Sequence, residues 1–262
     1  MRIDLRENGD CGCLRATQCR HSCSLRLVLA ARCDPKQCYS SVWETGRVTE
    51  RRLDLSVRAR LLESAVRLVA EDGPSGLSTR KVAAHAGTST MALYSQFGSM
   101  PELVRAIVDE GFTRLGEQFA LVARTDDPVA DLGGIFTAWL DNARANPDLY
   151  LVMFGSTSLD GYRRSGGDLQ QGRCTFDVIA EAARRAVDAG RFAPDEPVAI
   201  AARLWSALHG YTMLEIAGYF NPPTSGVKYV LQPMLVELVI GLGDDRSSAQ
   251  ASAATWFIDI GS

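Results

Sequence analysis

The stretch "GTSTMALYSQFGSM", Gly87 to Met100, decides how this chain is read. Ser89 suits an N-cap, because a short hydroxyl side chain can accept a bond from an otherwise unpaired backbone N–H of the first turn, so the spacing predicts a helix from Thr90 to Phe97. Leu93 and Phe97 are four residues apart and share its buried face. Just upstream, Ser78 caps an expected helix Thr79–Ala86 whose apolar side carries Val82, Ala83 and Ala86, and Gly87 supplies a permissive backbone where it ends. The two helices are then joined by a turn of about three residues, which is helix-turn-helix spacing. Before them, order begins near Ser56, where Leu61, Leu62, Ala65, Val66 and Val69 recur at three- and four-residue steps until "EDGPSG" stops the helix. After "GSMPEL", a longer helix has Leu103, Val104, Ile107, Val108, Phe112 and Leu115 as its buried stripe.

In a helix-turn-helix the second helix lies in the major groove and its N-terminal residues reach base edges. The outward positions here are Ser89, Thr90, Met91, Ala92, Ser95 and Gln96. They are short or uncharged groups: Gln can bond adenine, and a methyl or thioether can meet thymine. Tyr94 can give its hydroxyl to a phosphate. Arg58, Arg60, Arg80 and Lys81 stand nearby in sequence for phosphates or guanine. The formal net charge of -3 supplies no global positive field, so a nucleic-acid surface has to be a local patch.

With the preceding helix, "LSTRKVAAHAGTSTMALYSQFGSMPEL" resembles the DNA-binding domain of TetR-like transcriptional regulators. Gly87, Leu93, Tyr94 and Phe97 carry the resemblance, which covers residues 56 to 112. It implies that Thr79 and Tyr94 contact phosphates and that Arg80 reaches the groove. One position departs from the pattern: where the family has Lys at the start of the fourth helix, this chain has Met100. The expectation is a missing phosphate contact that Met100→Lys would restore.

Beyond "TDDP" the chain reads as helical at about 128–145, 147–154, 170–190, 196–219 and 226–242, with Pro233 kinking the last helix or marking its effective start. No period-2 strand pair is found, so the fold class expected is all-α: an N-terminal three-helix helix-turn-helix domain followed by a helical ligand-binding and dimerisation domain. The expected boundaries are a disordered Cys-rich leader at 1–50, the helix-turn-helix at 51–112, the second domain at 113–243 and a disordered tail at 244–262, with Gly155–Gly167 a surface loop.

Within the second domain, Trp205 and His209 share a helical face, with Met213 a turn further on. Trp205, His209 and Gly210 resemble a motif in the C-terminal domain of one TetR-like subgroup. Trp139, Tyr150 and Phe154 are the candidates to line the same ligand cavity. The broad apolar faces of the last two helices suit a homodimer, which the resemblance implies is built as a four-helix bundle. The reading is therefore a repressor held on a pseudo-palindromic operator in double-stranded DNA and released by a small apolar effector.

Other classes find little support. No run of about 18 apolar residues suggests a membrane span, and Leu25–Ala31 is too short for a signal sequence, so a cytoplasmic protein is expected. Six of the seven cysteines lie in the first 38 residues, with His21 among them. No C-x-x-C pair or common finger spacing appears, so no metal and no cofactor are expected. An unstructured leader is expected there, absent altogether if translation starts at Val48. No nucleophile elbow, P-loop or zinc-helix motif points to an enzyme. The rival readings are an all-α small-molecule-binding protein without DNA binding and a Cys-rich metal or redox sensor.

Overall fold

The computed structural model describes residues 45–154 and 172–258. The Cys-rich leader up to residue 44, the Gly155–Gly167 loop and the last four residues lie outside the described residues. Those described are helical, with no strand among them. They divide into two compact units, one ending at Ile107 and the other beginning at Val108.

In the first unit α1 (Thr45–Asp72) starts well before Ser56, where the sequence pattern begins. Gly73, at φ 70°, ends it. α2 (Thr79–His85) and α3 (Thr90–Phe97) begin where their serines predict. Ser78 Oγ accepts from the Lys81 amide at 3.3 Å, and Ser89 Oγ from the Ala92 amide at 3.2 Å. Gly87 and Gly98 close the two helices at φ +62° and +76°, a region that a Cβ disfavours. Leu61, Ala65 and Val69 of α1, Val82 of α2, and Leu93 and Phe97 of α3 are all buried where these three helices pack on one another.

α4 (Met100–Ala120) spans the division between the units. Leu103, Val104, Ile107, Val108 and Leu115 are buried as expected, whereas Phe112 is half-buried. Met100 requires a correction. It is 6% exposed, so the residue standing in place of the family's Lys is a core residue and its position does not face outward for a phosphate. A thioether chain fills irregular apolar space at little cost, which an ammonium cannot do.

The second unit is built from α5 (Pro128–Ala145), α6 (Pro147–Phe154), α7 (Arg173–Asp188) and α8 (Pro197–Ile216), followed by α9 (Pro223–Gly226), a π-turn (Val227–Leu231) and α10 (Gln232–Gly241). Pro233 sits in the first turn of α10 and marks its effective start, as the sequence allows. α7 packs on α5 and α8, and α10 on α8.

The tail expected to be disordered is instead ordered through residue 258. α11 (Arg246–Ala253) packs on α5 and α10, and beyond it Trp256 is 2% exposed. Trp256 Nε1 donates to the Val129 carbonyl at 3.2 Å. Its indole lies so close to α5 that a Cβ at Gly133 would come within 1.7 Å of it. Arg191 completes the attachment, donating to Asp244 at 2.6 and 2.8 Å, to Asp127 at 2.8 Å and to the Ser252 hydroxyl at 3.0 Å. Burial pushes the Asp127 carboxyl up, but the Ser252 hydroxyl, the Ala130 amide and Arg191 together hold it below the usual carboxylate range. The sequence hides this docking because Ala249, Ser252 and Ala253 make the buried side of α11 and carry little apolar signal.

Two expectations follow. Met100→Lys should cost the full-length protein roughly 1 to 3 kcal/mol of stability and leave the salt dependence of DNA binding unchanged. A log-log slope steeper by about 0.9 per half-site would contradict the buried placement. Trp256→Ala should cost about 3 to 5 kcal/mol. Gly133→Ala should destabilise the parent by about 1 to 3 kcal/mol, yet stabilise the Trp256→Ala background by up to about 1 kcal/mol through helix propensity. Urea unfolding followed by circular dichroism reads all four proteins, and no change of sign would contradict the packing.

Candidate functional site

α3 is held from below and open above. Leu93 is fully buried and Phe97 is 6% exposed, while Met91 is 76% and Tyr94 46% exposed. Ser89 and Ser95 are exposed, and Thr90, Ala92 and Gln96 are half-buried. On α2, Arg80 is exposed and Thr79 half-buried. All nine expected DNA-contact residues therefore cluster around the first turn of α2 and the outward side of α3.

The cations sort differently from the sequence expectation. Arg58 donates through Nη1 to the Gln96 carbonyl at 2.7 Å, and its guanidinium lies 4.2 Å over the Phe97 ring. It holds the C-terminal end of α3, where a cation also faces the negative end of the helix dipole. Lys81 is paired with Asp72 at 2.9 Å. Arg80, exposed in the first turn of α2, has no ion-pair partner among the described residues, and neither has the exposed Arg60 of α1. Residue spacing alone does not separate Arg58 from Arg80; only the family resemblance singled out Arg80 for the groove.

The second unit gathers five of the six expected ligand residues into one aromatic cluster. Tyr150 and Phe154, four apart on α6, lie with ring centroids 4.7 Å apart, and Trp139 of α5 is 5.8 Å from Tyr150 and 5.0 Å from Phe154. From α8, His209 stacks on Trp205 at 5.3 Å and lies 5.3 Å from Phe154. Met213 is half-buried one turn beyond and takes no part in these ring contacts. Phe119, Phe112 and Phe176 extend the cluster through Trp139, Phe154 and Trp205 respectively. The sequence reading did not include them, because a buried stripe shows which face points inward and not which side chains converge.

Two polar features sit inside this apolar group. The Tyr150 hydroxyl lies 2.6 Å from His209 Nδ1. Burial pushes that hydroxyl well above the usual phenol range, and the nearby Trp139 and Thr212 offset this only in part. The phenol therefore keeps its proton, and the imidazole tautomer sets which of the two groups donates across this contact. Trp139 Nε1 is buried beside the Tyr150 hydroxyl, its nearest acceptor, but does not meet it in full hydrogen-bonding geometry. A buried donor without a well-aligned acceptor costs free energy, and an acceptor brought to it in good geometry would recover that cost. One to two turns further toward the C-terminal ends of α5 and α8, Arg144 pairs with Glu215 at 2.6 Å, and Glu215 also accepts from Tyr211 at 2.7 Å.

A third feature is an open apolar groove of about 750 Å³ on α8 and α10, lined by Ala199, Ala202, Ser206, Ala207, Met234 and Leu238, with Arg203 at its edge. Among the described residues no His, Cys, Asp and Glu group could hold a metal ion. No described helix is long and apolar enough to cross a membrane.

Comparison with known proteins connects these features. Residues 61–107 match the family described as "Bacterial regulatory proteins, tetR family", and residues 132–238 match "Tetracyclin repressor-like, C-terminal domain". The HTH-type transcriptional repressor DrrR1 of Streptomyces coeruleorubidus is 34% identical over 93 residues, which are 35% of this chain and 30% of that protein. The chain thus spans under a third of that relative's length. The HTH-type transcriptional regulator Rv0681 of Mycobacterium tuberculosis is 26% identical over 202 residues, 76% of this chain and 86% of the relative. Among solved structures, a Rhodococcus sp. RHA1 protein of unknown function superposes with a TM-score of 0.62 at 25% identity, over 72% of this chain and 96% of its own. RolR in complex with resorcinol shares the fold, with a TM-score of 0.57 at 16% identity over 78% of this chain and 96% of its own. Both halves of the chain therefore lead to one assignment: it belongs to the tetR family of bacterial transcriptional regulators.

Proposed function

We propose that this regulator is a homodimeric repressor that binds a pseudo-palindromic operator through α2 and α3 and leaves it when a small apolar molecule occupies the aromatic cluster of the second unit. The observation that carries the reading is α3: a helix with both its cap and its buried side in place, whose outward surface consists of hydroxyl, amide, thioether and phenol groups, with nothing among the described residues of the first unit covering Met91. Arg80 supplies a cation beside it, and Thr79 and Tyr94 are placed for phosphates. The likeness to a relative named as a repressor supports the sign of regulation.

Dimerisation through α8 and α10 is supported by the groove. Ala199, Ala202 and Ser206 lie three to four residues apart, with Ala207 next to Ser206, so a second helix can approach closely, and Met234 and Leu238 offer it apolar area. For the effector, the support is chemical. The ring faces of Trp139, Phe154 and Trp205 favour a flat or apolar molecule, while Trp139 Nε1 offers a hydrogen bond to an acceptor on it. Such a molecule weakens operator binding to the extent that it prefers the DNA-free state.

Selection of bound sequences from random duplex DNA by the full chain tests the reading, with an enriched two-fold palindrome expected and no enrichment counting against it. On that operator, Arg80→Ala should cost about 1 to 3 kcal/mol and relax the preference at one position of each half-site. Uniform weakening over all sequences would make Arg80 a phosphate contact instead. Ala202→Glu combined with Met234→Glu should turn a dimer into a folded monomer in sedimentation equilibrium, and a variant that remains dimeric would move the interface elsewhere.

A further inference from the structure

The outward surface of α3 also limits which base features it can read. A guanine edge is read by Arg or Lys, an adenine edge by Asn or Gln, and the cytosine amino group by Asp or Glu. The eight residues of α3, TMALYSQF, contain no charged side chain at all. Their one side-chain amide, that of Gln96, lies in the last turn, half-buried, on a residue whose backbone carbonyl Arg58 holds. In a docked helix-turn-helix it is the N-terminal part of the recognition helix that reaches the bases. That part offers the hydroxyl of Thr90, the methyl of Ala92 and the thioether of Met91, which at 76% exposure is the most exposed large apolar side chain among the described residues of the first unit. Ser89 lies just outside and already accepts the Ala92 amide. The remaining feature of the major groove that an apolar group distinguishes is the 5-methyl group of thymine.

We infer that Met91 is the specificity-determining residue of the reading head and that it selects each half-site by packing against a thymine 5-methyl group. The inference rests on the operator-binding reading above. Arg80, on the neighbouring helix, remains the residue able to read a guanine, so the half-site combines a methyl-read thymine under the start of α3 with a position read from α2.

The test uses the full chain and the palindrome recovered by selection. Each thymine is replaced in turn by deoxyuridine, symmetrically in both half-sites, which removes the methyl group and keeps every hydrogen bond. Burial of one methyl group corresponds to a loss of roughly 4-fold per half-site, or about 15-fold for the symmetric pair. One thymine position is expected to show this loss. With Met91→Ala, an exposed substitution that leaves the core untouched, the same replacement should change affinity by less than about 2-fold in total. A palindrome that tolerates uracil everywhere, or whose sensitive position is equally sensitive in Met91→Ala, overturns the inference while leaving the regulator reading intact. If selection enriches no sequence, the regulator reading fails and the inference fails with it.

Discussion

An eight-residue helix does not persist alone in water, where lengths below about 12 to 15 residues are marginal. The whole functional reading depends on what holds α3 in place. Leu93 and Phe97 bury its inner side, at about 1.5 to 3 kcal/mol for each large apolar side chain, and Ser89 satisfies an N-terminal amide. Arg58 closes the other end by bonding the Gln96 carbonyl and lying over Phe97. Because cap, core and clamp come from outside or beneath the helix, the outer residues are relieved of structural duty and are free to be chosen for recognition.

The second unit follows the same division of labour on a larger scale. α5 has the C-terminal segment on one side, where Gly133 makes room for Trp256 and Phe136 meets its ring edge-on at 6.2 Å. From the same helix Trp139 enters the aromatic cluster. The Arg191 network fixes the C-terminal segment through Asp127, Asp244 and Ser252, with the Asp244 side chain only 1% exposed. A paired and hydrogen-bonded carboxylate can be buried where an isolated one could not. The polar groups left inside the apolar cluster, the Tyr150–His209 pair and Trp139 Nε1, are those whose chemistry an effector could engage.

Much of this was legible in residue order because the deciding signals are local. Ser78 and Ser89 announce the starts of α2 and α3 through a bond that spans three residues, and i to i+4 spacing puts Leu93 with Phe97, Tyr150 with Phe154 and Trp205 with His209. What escaped depends on contacts distant in sequence. Arg58 reads as a phosphate ligand until the Gln96 carbonyl is found 38 residues away. Met100 reads as a vacant phosphate contact until the core closes around it, and the small residues of α11 read as a tail until Trp256 is found against α5. The convergence of Phe112, Phe119 and Phe176 on the cluster is likewise a property of packing.

The central claim is that α3 of two protomers reads two major grooves of one duplex. Dimethyl sulfate protection of the selected operator by the full chain measures this most directly, since the reagent attacks guanine N7 in the major groove and adenine N3 in the minor groove. The account predicts two blocks of altered major-groove reactivity, related by a two-fold axis and about one helical turn of 10 to 10.5 base pairs, or a whole multiple of it, apart on the same face. A single block, or changes confined to the minor groove, would contradict it.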